Sequence, residues 1–506
     1  MIDFDGMEER LYLLPVKPGN ISNLQATNEK IYYLRFANAG SDGEAASLTY
    51  FDLDKKEEKT VMSNVNGYVL NFNTDKALVN AGGKYAVIPV SENAKIDKTV
   101  PVAEMVMQID PKQEWKQMFN DVWRLERDYF YDANMHGVNW AGVKEKYGKL
   151  LESALTREDV NYLIGEMIGE LNSSHTYQSG GDLERQRKTN VGYLGINWEA
   201  DADYYKVGKI IRAGIWDAEV HSPLDISGVN IPEGSYILAV NGIPIKTDKE
   251  PYAAFAMLAD KTVEITYNSK PDFKNAHTAI VKTLSSEFRL RYLNWVEGMR
   301  KRVEEATRGE VGYLFVPSTG VDGQNELVRQ LNALSDKKAL IVDERFNNGG
   351  QIPDRFIELL NRKPLVFWDT RDGHPWHWPP NVLFGPRVML INGWSGSGGD
   401  AFPYYFKKEK LGPLVGTRTW CGLIGMSGVP SLIDGGSITV PSFRMYDENG
   451  WFKEGHGVDP DIQVPEDLGA LAKGVDPQLE KAIETVMELM KTKGFSIPKV
   501  PEAEKR

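Results

Sequence analysis

Two short apolar runs, each passing into a turn of small residues and then into a helix, set the frame for the C-terminal half of this chain. Ala339 to Val342 leads through Asp343-Glu344-Arg345-Phe346-Asn347-Asn348-Gly349-Gly350 to a helix over Asp354 to Asn361. Val388 to Ile391 leads through Asn392-Gly393-Trp394-Ser395-Gly396-Ser397-Gly398-Gly399 to a helix over Ala401 to Lys408. With a strand over Val311 to Phe315 and a helix over Asn325 to Leu334 before them, strands and helices alternate, which predicts an α/β domain on a largely parallel sheet. Ligands of such sheets bind in the crevice beyond the C-terminal strand ends, so two such turns on neighbouring strands converge on one site.

The rest of the 506 residues is too long for that domain alone; at roughly 150 residues per domain the chain holds about three. Residues 1–107 carry short alternating runs such as Lys30 to Phe36, Ser47 to Asp52 and Lys84 to Ile88 between Gly, Asn and Asp turns. This is the spacing of sandwiches, barrels or propeller blades. Residues 108–190 switch to helical spacing, with Trp115, Met118, Phe119, Val122 and Trp123 on one stripe. Residues 191–285 return to β pattern, including a strand that ends in the turn signal Asn241-Gly242. Residues 286–490 hold the α/β alternation, and 491–506 read as a frayed tail.

Composition excludes several functions. The formal net charge of -12 repels a phosphate backbone, so no nucleic-acid partner is expected. No apolar run approaches a bilayer span, so no membrane partner is expected either. The single cysteine, Cys421, excludes a disulfide framework and a multi-cysteine zinc site. The acidic start Met1 to Pro15 lacks the basic segment and apolar core of a secretory signal.

The turn around Ser397 can do chemistry. A serine hydroxyl at a strand-to-helix turn stands beside free helix N–H groups, and small flanking residues leave room for a substrate carbonyl. On residues alone the string also reads as a loop rich in turn formers, or as an anion-binding helix start lacking the usual lysine. A serine nucleophile needs a base. Of the seven histidines, His136, His221 and His277 have no accompanying cluster, and His374 and His377 flank a proline with no carboxylate to complete a metal site. His175, in Asn172-Ser173-Ser174-His175-Thr176, follows a helix over Val160 to Leu171 and has hydroxyls on both sides; a structural histidine is the alternative.

Five strings stand in the order and approximate spacing of the tricorn core proteases, a subgroup of the S41 serine peptidases. They are Asn172 to Thr176, Arg345 to Gly350, Gly396 to Asp400, Gly416-Thr417-Arg418-Thr419-Trp420, and Glu454-Gly455-His456-Gly457-Val458-Asp459-Pro460-Asp461. The chain resembles that family from about residue 110 to 490. The resemblance implies a propeller-like remnant at the start, an inserted PDZ-like domain over 191–285, and a mixed helical and α/β catalytic core of crotonase-like type. It makes Ser397 the nucleophile, His175 the general base, and Ser174 and Glu454 the groups that complete a tetrad. Gly350 and Gly398 then supply the oxyanion hole, and Asp369 is nearest the carboxylate that receives basic P1 side chains, in the family sometimes from a neighbouring subunit. The family pattern has an aspartate directly after the nucleophile where this chain has Gly398.

The implied activity is hydrolysis of short peptides through an acyl-enzyme, with no cofactor. The implied partners are peptide substrates, further copies of the chain in a hexamer, and downstream aminopeptidases; the implied compartment is the cytoplasm, or an exported location for a chain that has lost a signal. A catalytically silent PDZ-bearing peptide scaffold is the competing reading. A C-terminal processing peptidase with a lysine base is another, but Thr417 to Ile424, the stretch that matches its lysine strand, contains no lysine.

Overall fold

The computed structural model describes residues 5–37, 46–184, 188–380, 382, 385–452, 454–494 and 498–502. Two compact units share the chain, Met1–Asp110 and Pro111–Arg506. The first is built of β meanders. Strands β1 (Asn20–Ala26), β2 (Lys30–Phe36), β3 (Ser47–Asp52) and β4 (Glu57–Met62) pair in sequence order, as do β5 (Gly67–Leu70), β6 (Lys76–Ala81) and β7 (Lys84–Pro89). Period-two alternation turns Ala77 and Val79 inward, where they share a core with Leu34, Leu48 and Val61 of the first sheet. The four-stranded meander is the size of one propeller blade. Strand β1, Asn-Ile-Ser-Asn-Leu-Gln-Ala, escaped the sequence reading because it is an edge strand with little to bury.

The second unit opens with three helices, α1 (Pro111–Tyr129), α2 (Trp140–Leu151) and α3 (Arg157–Gly169). Met118, Phe119 and Val122 of α1 meet Trp140 and Tyr147 of α2 and Ile164 and Met167 of α3 in one core. Thr156 starts α3 with a reciprocal cap: its hydroxyl accepts from the Asp159 N–H, and the Asp159 carboxylate accepts from the Thr156 N–H. A short strand, β8 (Gln178–Ser179), then pairs with Ser437–Ile438. Next comes an antiparallel sheet of β9 (Ile196–Asp201), β10 (Tyr204–Ile210), β11 (Tyr236–Val240), β12 (Ile243–Pro244), β13 (Thr262–Asn268) and β14 (His277–Lys282), ordered β14-β13-β11-β10-β9 with β12 paired to β11. The β11–β12 turn is Asn241-Gly242, both at positive φ (49° and 77°), as a two-residue hairpin turn demands.

Helix α4 (Phe288–Thr307) leads into the parallel sheet that carries the site. Its strands β15 (Val311–Phe315), β16 (Ala339–Asp343), β19 (Arg387–Ile391) and β20 (Leu414–Gly416) lie side by side in that order, with Ile462–Gln463 on the far edge. Between β16 and β19 the chain makes a side hairpin, β17 (Val366–Trp368) with β18 (Trp376–Trp378). Leu340, Val342 and Met389 face α5 (Val321–Ala333), α6 (Pro353–Leu360) and α7 (Gly398–Lys408) through Leu327, Phe356 and Phe402. Ile341, Val388 and Leu390 face the other way, onto Val303 of α4 and onto Leu479 and Val486 of the closing helix Pro477–Lys493. Both faces are covered, which is why these strands read as unbroken apolar runs.

Helix α5 begins at Val321 rather than Asn325. Gly323 hid its first turn, yet it sits inside the helix because a Cβ there would lie 2.0 Å from the Ser318 carbonyl oxygen. The closing helix runs to Lys493, three residues into the stretch 491–506 expected as tail. Among the described residues no helix is long and apolar enough to cross a membrane.

Candidate active site

Loops leaving the C-terminal ends of β15, β16 and β19 lock together by main-chain bonds. Asn348 N–H donates to Pro317 O (3.1 Å), Thr319 N–H to Gly349 O (2.9 Å) and Gly396 N–H to Asn347 O (3.1 Å). Ser395 Oγ donates to Glu344 O (2.9 Å), and the Asn392 side chain accepts from Phe346 N–H (3.1 Å). Gly349-Gly350 is thereby pressed against Ser397-Gly398: a Cβ on Gly349 would lie 2.9 Å from Ser397 Cβ. The two small-residue turns converge on one crevice.

Ser397 itself has φ 59° and ψ −117° at the start of α7, a conformation that costs a side-chain-bearing residue on the order of 1–3 kcal/mol and is found where the surroundings enforce it. The turn holds the hydroxyl half-buried at the head of the helix. Among the described residues, neither the Gly350 nor the Gly398 backbone N–H has a hydrogen-bond partner. The aspartate of the family pattern has no room after Ser397, because a Cβ at 398 would lie 2.1 Å from Thr319 Oγ1 and 2.3 Å from Gly350 O.

The His175 loop is fixed from three sides. Thr439 Oγ1 donates to the His175 carbonyl (2.5 Å), and the Thr439 hydroxyl also accepts from Tyr177 N–H (2.9 Å). Ser174 Oγ lies 3.1 Å from His175 Nδ1, and Glu454 Oε1 accepts from the Ser174 backbone N–H at 2.7 Å. Glu454 therefore grips the main chain of Ser174, and its Oε2 is buried without a partner among the described residues. Burial lowers the His175 pKa below its ordinary value, opposed by the Glu454 charge, so the ring is neutral and able to take a proton at neutral pH.

Ser174, His175 and Glu454 thus meet by direct bonds. Ser397 reaches them through side-chain and backbone packing: a Cβ on Gly396 would lie 2.7 Å from the Trp420 ring, and one on Gly422 would lie 2.4 Å from that ring and 3.1 Å from Ser174 Cβ. No hydrogen bond joins Ser397 to the imidazole among the described residues; such bonds are commonly loose in free enzymes and tighten with substrate. Asp369 stands apart, exposed just beyond β17.

Two partners of the site escaped the sequence reading. His136, set aside there for want of a cluster, has its Nδ1 2.8 Å from the Leu171 carbonyl at the foot of the His175 loop, and its Nε2 is bonded to the Tyr131 hydroxyl. The contact to Leu171 spans 35 residues, so no local pattern announces it. Asp400 is fully buried and accepts from Ser397 N–H (2.8 Å), Cys421 N–H (2.9 Å), Gly422 N–H (3.0 Å) and the Thr419 hydroxyl. Burial raises its pKa while these donors pull the other way.

Three family models match the chain in the order of these elements: the tricorn protease C1 domain over residues 111–169, the tricorn protease PDZ domain over 192–286, and peptidase family S41 over 310–464. A PDZ module inserted ahead of an S41 core, with Ser397 on the strained turn of that core, places the chain in the class of S41 serine peptidases. Tricorn protease homolog 1 of Streptomyces coelicolor is 31% identical over 99% of this chain and 48% of its own length. A putative tricorn-like protease C-terminal subunit of Sulfurisphaera tokodaii is 32% identical over 97% of this chain and 58% of its own. The crystal structure of the tricorn protease superposes with a TM-score of 0.87 at 28% identity, covering 94% of this chain and 47% of that one. The chain belongs to the tricorn protease family, and it spans about half the length of the curated relatives it matches.

Proposed function

We propose that this chain is a serine peptidase that cleaves short peptides through an acyl-enzyme, with Ser397 as nucleophile and His175 as general base. Ser397 Oγ attacks the scissile carbonyl carbon as His175 takes the hydroxyl proton. The oxygen becomes an anion held by the Gly350 and Gly398 N–H groups. Collapse breaks the C–N bond, His175 returns the proton to the leaving amine, and water activated by the same imidazole releases the acid. Ser174 at Nδ1 and Glu454 on the Ser174 backbone keep the ring oriented and stabilise its protonated form.

The observation that carries this reading is the strained Ser397 turn lying against two glycines whose N–H groups are unpartnered among the described residues. Within it, Asp369, exposed in its own subunit, receives a Lys or Arg side chain at P1 from a neighbouring copy. The divisions 1–107, 108–190, 191–285, 286–490 and 491–506, a hexameric assembly, a cytoplasmic location and downstream aminopeptidases complete the reading. The test is hydrolysis of fluorogenic peptides with Arg, Lys, Leu, Phe or Glu at P1 by the wild type, Ser397→Ala and His175→Ala. Activity lost in both folded variants, with Arg and Lys ranked first, is the expected result. A folded wild type that binds peptides but cleaves none moves the reading to a silent scaffold.

A further inference from the structure

The buried carboxylate of Asp400 lies where all the segments of the site meet, and the reaction steps above do not use it. Its Oδ2 accepts from Ser397 N–H and Gly422 N–H, and its Oδ1 from Cys421 N–H and the Thr419 hydroxyl. Four donors on one side chain match the lone pairs of an ionised carboxylate and of no other residue type of that size.

The bonds beyond these four carry the connection outward. Thr419 Oγ1 also accepts from Val458 N–H (2.8 Å) and Thr419 N–H donates to Val458 O (3.2 Å), while Gly455 N–H reaches Cys421 O (3.4 Å). The 419–422 strap is thereby stitched to the segment that begins at Glu454. On its other side, Trp420 N–H donates to Ser395 O (2.8 Å), and Gly422 lies against Ser174. A single carboxylate thus touches the serine turn directly, and the histidine-bearing and glutamate-bearing segments through one strap.

We infer that Asp400 is the positioning residue that holds Ser397 in register with the Ser174-His175-Glu454 cluster. The inference rests on the peptidase reading above. Asp400 does not touch substrate; it acts through the Ser397 backbone and the strap. A carboxamide at 400 loses an acceptor and turns an NH2 toward backbone N–H groups, which releases either the serine turn or the strap. A displacement of about 1 Å between nucleophile and base costs on the order of a hundredfold in rate. Binding of the peptide, governed by surfaces away from this buried carboxylate, is left nearly unchanged.

Asp400→Asn, Thr419→Val and the double variant are compared with wild type on one fluorogenic peptide, with Ser397→Ala as the blank. Rates are normalised to sites titrated by a serine-directed fluorophosphonate, so that loss of folded protein does not count as loss of catalysis. The expected result for Asp400→Asn is a kcat per titrated site roughly a hundredfold lower at near-constant KM. Thr419→Val gives a smaller fall of the same kind, and the double variant is no worse than Asp400→Asn alone, because both act through one connection. A kcat per site within about threefold of wild type in Asp400→Asn, or additive losses in the double variant, overturns the inference. Should Asp400→Asn fail to fold, unchanged kcat in Thr419→Val overturns it by itself. Hydrolysis that survives in Ser397→Ala instead overturns the peptidase reading on which it rests.

Discussion

Glu126 is a buried carboxyl group without a hydrogen-bond partner among the described residues, and its removal should reshape the stability of the protein with pH. It lies on the buried face of α1, fully shielded from solvent, and neither carboxyl oxygen has a hydrogen-bond partner among the described residues. Burial alone pushes its pKa from the ordinary 4.5 up to about 8. The folded state therefore keeps a proton that the unfolded chain gives up. Its contribution is fully present below about pH 4.5 and is lost as pH rises toward 8. At about 1.4 kcal/mol per pH unit, the penalty is under ~1 kcal/mol near pH 5 and about 4 kcal/mol near pH 8. Glu126→Gln keeps the shape and removes the ionisation. Chemical denaturation of both proteins at those two pH values should show the variant gaining about 3 kcal/mol on the wild type between them, while any constant cost of an unpartnered amide cancels. A difference between the two proteins that is the same at both pH values would refute the reasoning.

Three further outcomes follow from the geometry. The acid limb of kcat/KM should lie below the ordinary histidine range because burial lowers the His175 pKa, and Glu454→Gln should move it lower still by removing the charge that opposes burial; a pH–rate profile of the two proteins checks the order. Gly398→Ala should cut kcat by about a hundredfold or more, since its Cβ would meet Gly350 O at 2.3 Å and displace both N–H donors; steady-state kinetics at equal folded content reads it. Arg157→Ala should cost about 3–5 kcal/mol in denaturant unfolding, because it strands Asp434, whose side chain is only 5% exposed and bonded to the guanidinium at 2.6 Å.

What the sequence made legible was whatever has a local cause. The apolar runs at 339–342 and 388–391 announced β16 and β19 because a doubly covered strand must be apolar on both sides, and the small residues after them marked the converging turns. The Asn-Gly pair marked the β11–β12 hairpin because few residues tolerate its backbone. Asp400 was visible only as a residue after glycines; that it gathers Thr419, Cys421 and Gly422 depends on contacts about twenty residues away. Nothing in the local sequence marks Glu126 or Glu344 as internal, yet both are fully buried, and burial raises the pKa of each so that its neutral form is favoured. The bond between Ser174 and Glu454 spans 280 residues, and it was reached through resemblance rather than through any pattern in the residues.

The most direct test of the central claim is to treat the folded protein with a fluorophosphonate and locate the adduct by mass spectrometry of its peptides, in wild type and in His175→Ala. The account predicts one phosphonyl group per chain, on Ser397, formed far more slowly when His175 is absent. Labelling of Ser395 in place of Ser397, or labelling of Ser397 at an undiminished rate in His175→Ala, would contradict it.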